Sequence, residues 1–185
     1  MLAVCAIAVL CVMPVGHAAP LDCKHLVEPL GQIDPGHLEG RWALVADSLK
    51  IFETGRPFLP FDSVSVDFHN STYTQGNRYG EECRYQTQNI SIEGPNFDIK
   101  VGGSVNLRGT FLHTSCSDCV ALTLTVDSPN QNTLEVCLLS RRRQLDQKEL
   151  EEFRAQVECL NMPQHVVMDP TKQLCPDRSR RSQSD

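Results

Sequence analysis

The chain is short of positive charge: 17 Lys and Arg face 23 Asp and Glu, for a net charge of -6. That balance argues against a nucleic-acid partner, because nothing here neutralises a run of phosphates. Long apolar runs are scarce too, and the one at the N-terminus falls short of the roughly 20 residues that a membrane span needs. No Ser/His/Asp order, phosphate-cradling glycine loop or carboxylate pair stands out, so an enzyme is not expected. Neither an internal repeat nor a second domain is visible, and 185 residues leave room for one sizeable core but not two. Tryptophan occurs once, at Trp42.

The first 15 residues are almost wholly apolar, and Gly16-His17-Ala18 follows with small residues suited to signal-peptidase cleavage. We expect residues 1–18 to be a signal peptide, although no Lys or Arg precedes its apolar segment. A secreted, extracellular protein of a plasma-like fluid is therefore expected, with one domain over residues 19–176. Residues 177–185, with Arg178, Arg180 and Arg181 among polar neighbours, read as a disordered basic tail. Outside the leader lie Cys23, Cys83, Cys116, Cys119, Cys137, Cys159 and Cys175, and this odd number leaves one thiol unpaired or bonded to another chain. Asn70-Ser71-Thr72 and Asn89-Ile90-Ser91 are acceptor patterns for glycosylation at Asn70 and Asn89.

Apolar alternation marks strands. Arg41 to Leu49 places Trp42, Leu44 and Ala46 on one face, and Ser63 to His69 places Val64, Val66 and Phe68 on one side. Further strand-like segments run over 73–79, 83–92, 97–101, 105–114, 119–126 and 133–140, separated by turn residues. Eight strands at short, regular spacing point to an antiparallel sandwich or barrel. Between the first two, Ile51 to Pro60 mixes large apolar residues with Pro and Gly and suits a loop folded over an apolar surface. Beyond Arg143 the period changes. Asp146 and Glu149 form a capping box, and Leu150, Phe153, Val157 and Leu160 make one apolar stripe at helical spacing. Asn161 and Pro163 end that helix, and His165 to Met168 suits a short edge strand.

Gly40-Arg41-Trp42 at the start of a strand, and Ser140-Arg141 ending another strand just before a single amphipathic helix, resemble the lipocalins. The resemblance covers essentially the whole chain after the leader. It is nearest to the branch of alpha-1-acid glycoprotein and apolipoprotein M through Leu21-Asp22-Cys23, Glu152-Phe153 to Cys159-Leu160 with Pro163, and Cys175-Pro176. The cysteines around Ser117-Asp118 resemble the fish members of that branch that bind saxitoxin, tetrodotoxin or tributyltin. Ser117-Asp118-Cys119 departs from the Thr-Asp-Tyr usual in lipocalins. The resemblance implies an all-β fold, an eight-stranded antiparallel up-and-down barrel with one C-terminal helix outside it. It also implies bridges Cys23–Cys159 and Cys83–Cys175, and a cation from Arg141 over Trp42. Cys116, Cys119 and Cys137 then remain, with either of the first two within reach of the third. Cys116-x-x-Cys119 with His113 has the residue types of a zinc set, but a disulfide is the expected state of a secreted chain, and neither metal nor cofactor is expected.

An eight-stranded barrel holds one small molecule where side chains leave room. The inward candidates are Val64, Val66, Phe68, Phe97, Ile99, Val101, Leu107, Phe111, His113, Leu122 and Leu124, with His113 and Tyr85 as hydrogen-bonding groups. Arg84 and Arg108 fall on the opposite parity, which disfavours a phosphorylated lipid. The expected partner is a small hydrophobic or amphipathic ligand, with a cationic, toxin-like head favoured by the acidic field. The alternatives are an immunomodulatory glycoprotein with a plugged barrel, and a lipid carrier of the apolipoprotein M type. No stable membrane insertion is expected, and lipoprotein association is not favoured.

Overall fold

The computed structural model describes residues 22–52, 60–101, 105–128 and 131–178. The signal-peptide reading, most of the loop after Ile51, and the tail beyond Arg178 lie outside them. Two short helices, α1 (Cys23–Leu26) and α2 (Pro35–Leu38), precede eight long strands: β1 (Gly40–Ile51), β2 (Ser63–His69), β3 (Thr72–Tyr79), β4 (Glu82–Glu93), β5 (Asn96–Val101), β6 (Val105–Leu112), β7 (Cys119–Ser128) and β8 (Gln131–Ser140). Helix α3 (Gln147–Cys159) and a two-residue strand β9 (Val166–Val167) follow.

Each strand pairs antiparallel with the next, and β1 closes the ring by pairing with both β2 and β8. Closure is possible because β1 is 12 residues long: Gly40 to Ala43 bond β2, while Ala43 to Ile51 bond β8. A closed ring leaves few unpaired edges. The result is a closed eight-stranded antiparallel up-and-down barrel, with β9 bonded to Ala46 and Asp47 of β1.

Two apolar clusters follow from the alternation. One fills the inside, built on Trp42, Leu44, Val64, Val66, Phe68, Phe97, Ile99, Phe111 and Leu122. The other lies outside, where α3 sets Phe153 and Val157 on Val45, Ala46, Ala121, Val136 and Leu138. The capping box starts α3 with two 2.9 Å bonds, Glu149 N–H to Asp146 and Asp146 N–H to Glu149. Buried Gln156 ties the helix to the barrel by donating to the carbonyls of Leu26 (2.9 Å) and His113 (2.7 Å).

One expectation about β1 is corrected. Its pairing with β8 shifts register between Leu44 and Ala46. This bulge leaves Trp42 and Leu44 inside, turns Ala46 out toward α3, and brings Asp47 round to face inward opposite Cys137.

Candidate functional site

The barrel is sealed at one end. The Trp42 indole is buried and donates to the Leu38 carbonyl at 2.8 Å, while the Arg141 guanidinium stacks on it 3.6 Å from the ring centre. Arg141 also donates to the carbonyls of His37 (2.9 Å), Glu39 (2.7 Å) and Arg41 (2.9 Å), latching the N-terminal segment across the floor. Gly40 has φ +94°, and a Cβ there would meet the Arg141 Nη1 at 3.2 Å, so this position needs glycine for both conformation and space. Above the floor, Phe97 stacks on the fully buried Phe111 with ring centres 4.8 Å apart.

Higher up, the interior opens into a cavity of about 300 Å³. Val64, Val66 and Phe68 from β2, Phe97 and Ile99 from β5, and Leu122 and Leu124 from β7 line it. Of the other sequence candidates, Phe111 belongs to the packing beneath the cavity, and Leu107 and Val101 pack against the core at its margin. Two are corrected outright. His113 is exposed just past β6, its backbone held by Glu28 and Gln156. Tyr85 lies on the outer face of β4, donating to the Pro176 carbonyl at 2.7 Å with Arg178 over its ring. The outer face of this part of the sheet is covered by the C-terminal segment, a long-range contact that no local pattern reveals.

Arg84 is also corrected. It pairs with Asn77, a lining residue, so it has inward parity, but at the strand's end it turns to Glu82 (2.9 Å) in solvent. Arg108 is outward and faces Asp98 at 3.3 Å.

The polar part of the wall comes from residues that the sequence reading did not single out. Tyr73, Gln75 and Asn77 of β3 form a chain, Tyr73 donating to Gln75 (2.5 Å) and Gln75 to Asn77 (2.9 Å). Glu135 and Cys137 of β8 also line the cavity, and the Asp47 carboxyl and these two groups all lie within 4.8 Å of one another. Burial pushes the Asp47 carboxyl up to about 8, with the neighbouring Glu135 adding to it. Glu135 is raised by burial, and Cys137 is held well above the ordinary thiol range by burial and by the two acids. The signal was present: in Thr133 to Leu139 the inward parity falls on Thr133, Glu135, Cys137 and Leu139, which places an acid inside.

The cysteines divide as three bridges and one thiol among the described residues. Cys23 bonds Cys159 and Cys83 bonds Cys175, fastening α1 to α3 and the C-terminal segment to β4. Cys116 bonds Cys119, and Cys137 is free and buried. Ser63 and Arg78 hold the same C-terminal segment through the carbonyls of Gln173 (2.6 Å) and Leu174 (3.1 Å). At the closed end Arg142 bridges Asp118 and Glu149, each at 2.6 Å. Asn70 sits exposed in the β2–β3 turn with φ +46°, and Asn89 is exposed on β4.

A closed eight-stranded barrel with a sealed floor, a hollow interior and one helix outside is the lipocalin fold. Among solved structures, lipocalin 12 from rat epididymis, determined by NMR in solution, superposes with a TM-score of 0.64 at 18% identity, over 81% of this chain and 93% of that one. No protein-family model matches the sequence, and no curated protein matches it. No helix among the described residues is long and apolar enough to cross a membrane.

Proposed function

We propose that this chain is a secreted carrier that binds one small hydrophobic or amphipathic molecule inside its barrel. In this reading residues 1–18 are removed as a signal peptide, 19–176 form the carrier domain, and 177–185 are a basic tail that begins against β4, where Arg178 lies over the Tyr85 ring. Glycans on Asn70 and Asn89 sit well with the exposure of both side chains. The reading has no catalytic role, no nucleic-acid partner and no stable insertion into a membrane.

The observation that carries it is the cavity of about 300 Å³ walled by aliphatic and aromatic side chains. Packed interiors leave few voids larger than a water molecule, so such a space inside a closed barrel argues for an occupant. Burying roughly 300 Å² of apolar ligand surface at about 25 cal/mol per Å² contributes about 7–8 kcal/mol, of which association costs consume a large part. Reversible binding of at best about micromolar strength follows from that burial alone, and a polar anchor tightens it.

Titration of the folded, oxidised protein with an environment-sensitive apolar fluorophore tests the proposal. A saturable signal with one site per chain, displaced by unlabelled long-chain alcohols, supports it. Absence of displaceable binding overturns it.

A further inference from the structure

The polar wall of the cavity is one-sided in its chemistry. Asp47 and Glu135 hydrogen-bond one another, and one Asp47 carboxylate oxygen is cut off from solvent with no hydrogen-bond partner. Tyr73 does not serve them, since its hydroxyl donates to Gln75. The ionisable groups facing the pair are Cys137 from its own strand and the Tyr73 phenol from β3, both pushed toward their neutral forms. Among the described residues no Lys, Arg or His lines the cavity, and β2, β5 and β7 present only apolar side chains to it. The Cys137 thiol donates to Glu135 and the Ser48 backbone N–H to Asp47, which still leaves one Asp47 oxygen unmet and acceptor capacity in surplus inside an apolar chamber.

Register fixes their depth. Leu44 opposite Leu139 lies toward the Trp42 floor, and Ile51 opposite Thr133 lies toward the other end. Asp47 opposite Cys137, and Leu49 opposite Glu135, fall between. An anchor halfway down, with Val66, Leu122 and Leu124 on the same cavity wall, suits a molecule with a small polar head and an aliphatic body.

Resting on the carrier reading, we infer that the Glu135 carboxylate, backed by Asp47, is the anchor for the protonated amino group of an aliphatic ammonium amphiphile. Two adjoining acids in a low dielectric resist losing both protons, so at neutral pH the pair retains one proton and carries at most one negative charge, which a single ammonium neutralises. Three N–H donors on that ammonium answer the acceptors that the protein leaves unmet. Where the pair is fully protonated before binding, the arriving cation replaces one proton, which leaves to solvent. Affinity for a permanently charged head therefore rises with pH until the pair has lost that first proton.

Calorimetric titration of the intact oxidised protein with n-decylamine, n-decanol and decanoate reads the head group against one common tail. At pH 8 the amine is expected to bind at least about tenfold tighter than the alcohol, with decanoate weakest, a margin of about 1.4 kcal/mol. The amine-to-alcohol ratio should grow from pH 5 to pH 8, by up to about tenfold per pH unit where one proton is released. Glu135→Gln should collapse that ratio toward one. The wild-type pH series decides the matter by itself if the variant does not fold. A ratio near one at every pH, or a ratio unchanged in Glu135→Gln, overturns the anchor and leaves the carrier intact. Failure of all three ligands to bind overturns both.

Discussion

The Arg141 guanidinium lies flat over the Trp42 indole, 3.6 Å from its centre, while three of its hydrogen bonds reach backbone carbonyls of residues 37 to 41. Two residues about a hundred positions apart thereby join β1, the end of β8 and the N-terminal segment at one end of the barrel. Trp42→Ala should cost about 3–5 kcal/mol as a large side chain leaves the core. Arg141→Lys keeps the charge but loses the planar fork, and about 1–2 kcal/mol is expected. Denaturant unfolding measures both.

The thiol of Cys137 is enclosed and kept protonated by its surroundings. Protein lacking residues 1–18 should show no thiol reactive to a disulfide reagent at neutral pH while native, and one per chain when unfolded without reductant. The thiolate is the reactive form, so burial beside two acids suppresses the reaction twice over.

The three bridges should differ in worth by the length of chain they close. Separations of 136 and 92 residues for Cys23–Cys159 and Cys83–Cys175 contrast with 3 for Cys116–Cys119. On the chain-entropy account, replacing either long bridge by serines costs about 4–5 kcal/mol, and replacing the short one about 2 kcal/mol. Midpoints of chemical denaturation for the paired Cys→Ser variants check the ranking.

Stability should fall as pH rises from 6.5 to 8.5. The Asp47 carboxyl titrates near 8 in the folded chain against 3.8 for an ordinary aspartate, chiefly through burial. Within that window the native state holds a proton that the unfolded chain has already released, so raising the pH favours unfolding. About 1–2 kcal/mol is expected over the window, or several degrees in Tm for a domain of this size. Asp47→Asn, which cannot ionise, should flatten the slope; thermal unfolding across the range shows it.

The barrel itself was legible because period-2 alternation in β2, β5 and β7 reports one buried face, and the capping box at Asp146 announced α3. The floor could be read as well, since Gly40, Trp42 and Arg141 carry a recognisable pattern. What stayed hidden were contacts made through space. The bulge after Leu44 reversed the parity of Asp47, and a strand's sequence does not mark where its register slips. The C-terminal segment covers the outer side of β4, so Tyr85 found a partner there and not in the cavity. His113 looked inward by extension of the β6 alternation, but that strand ends at Leu112 and the chain turns away.

Filling the hollow interior separates binding inside the barrel from binding on its surface. Leu124→Trp on the cavity wall should lower apolar-fluorophore affinity by at least about tenfold while the protein still unfolds cooperatively, whereas Thr125→Trp, one residue on and exposed, should bind as the wild type does. Equal affinity in all three proteins would place the binding site outside the barrel and overturn the carrier proposal.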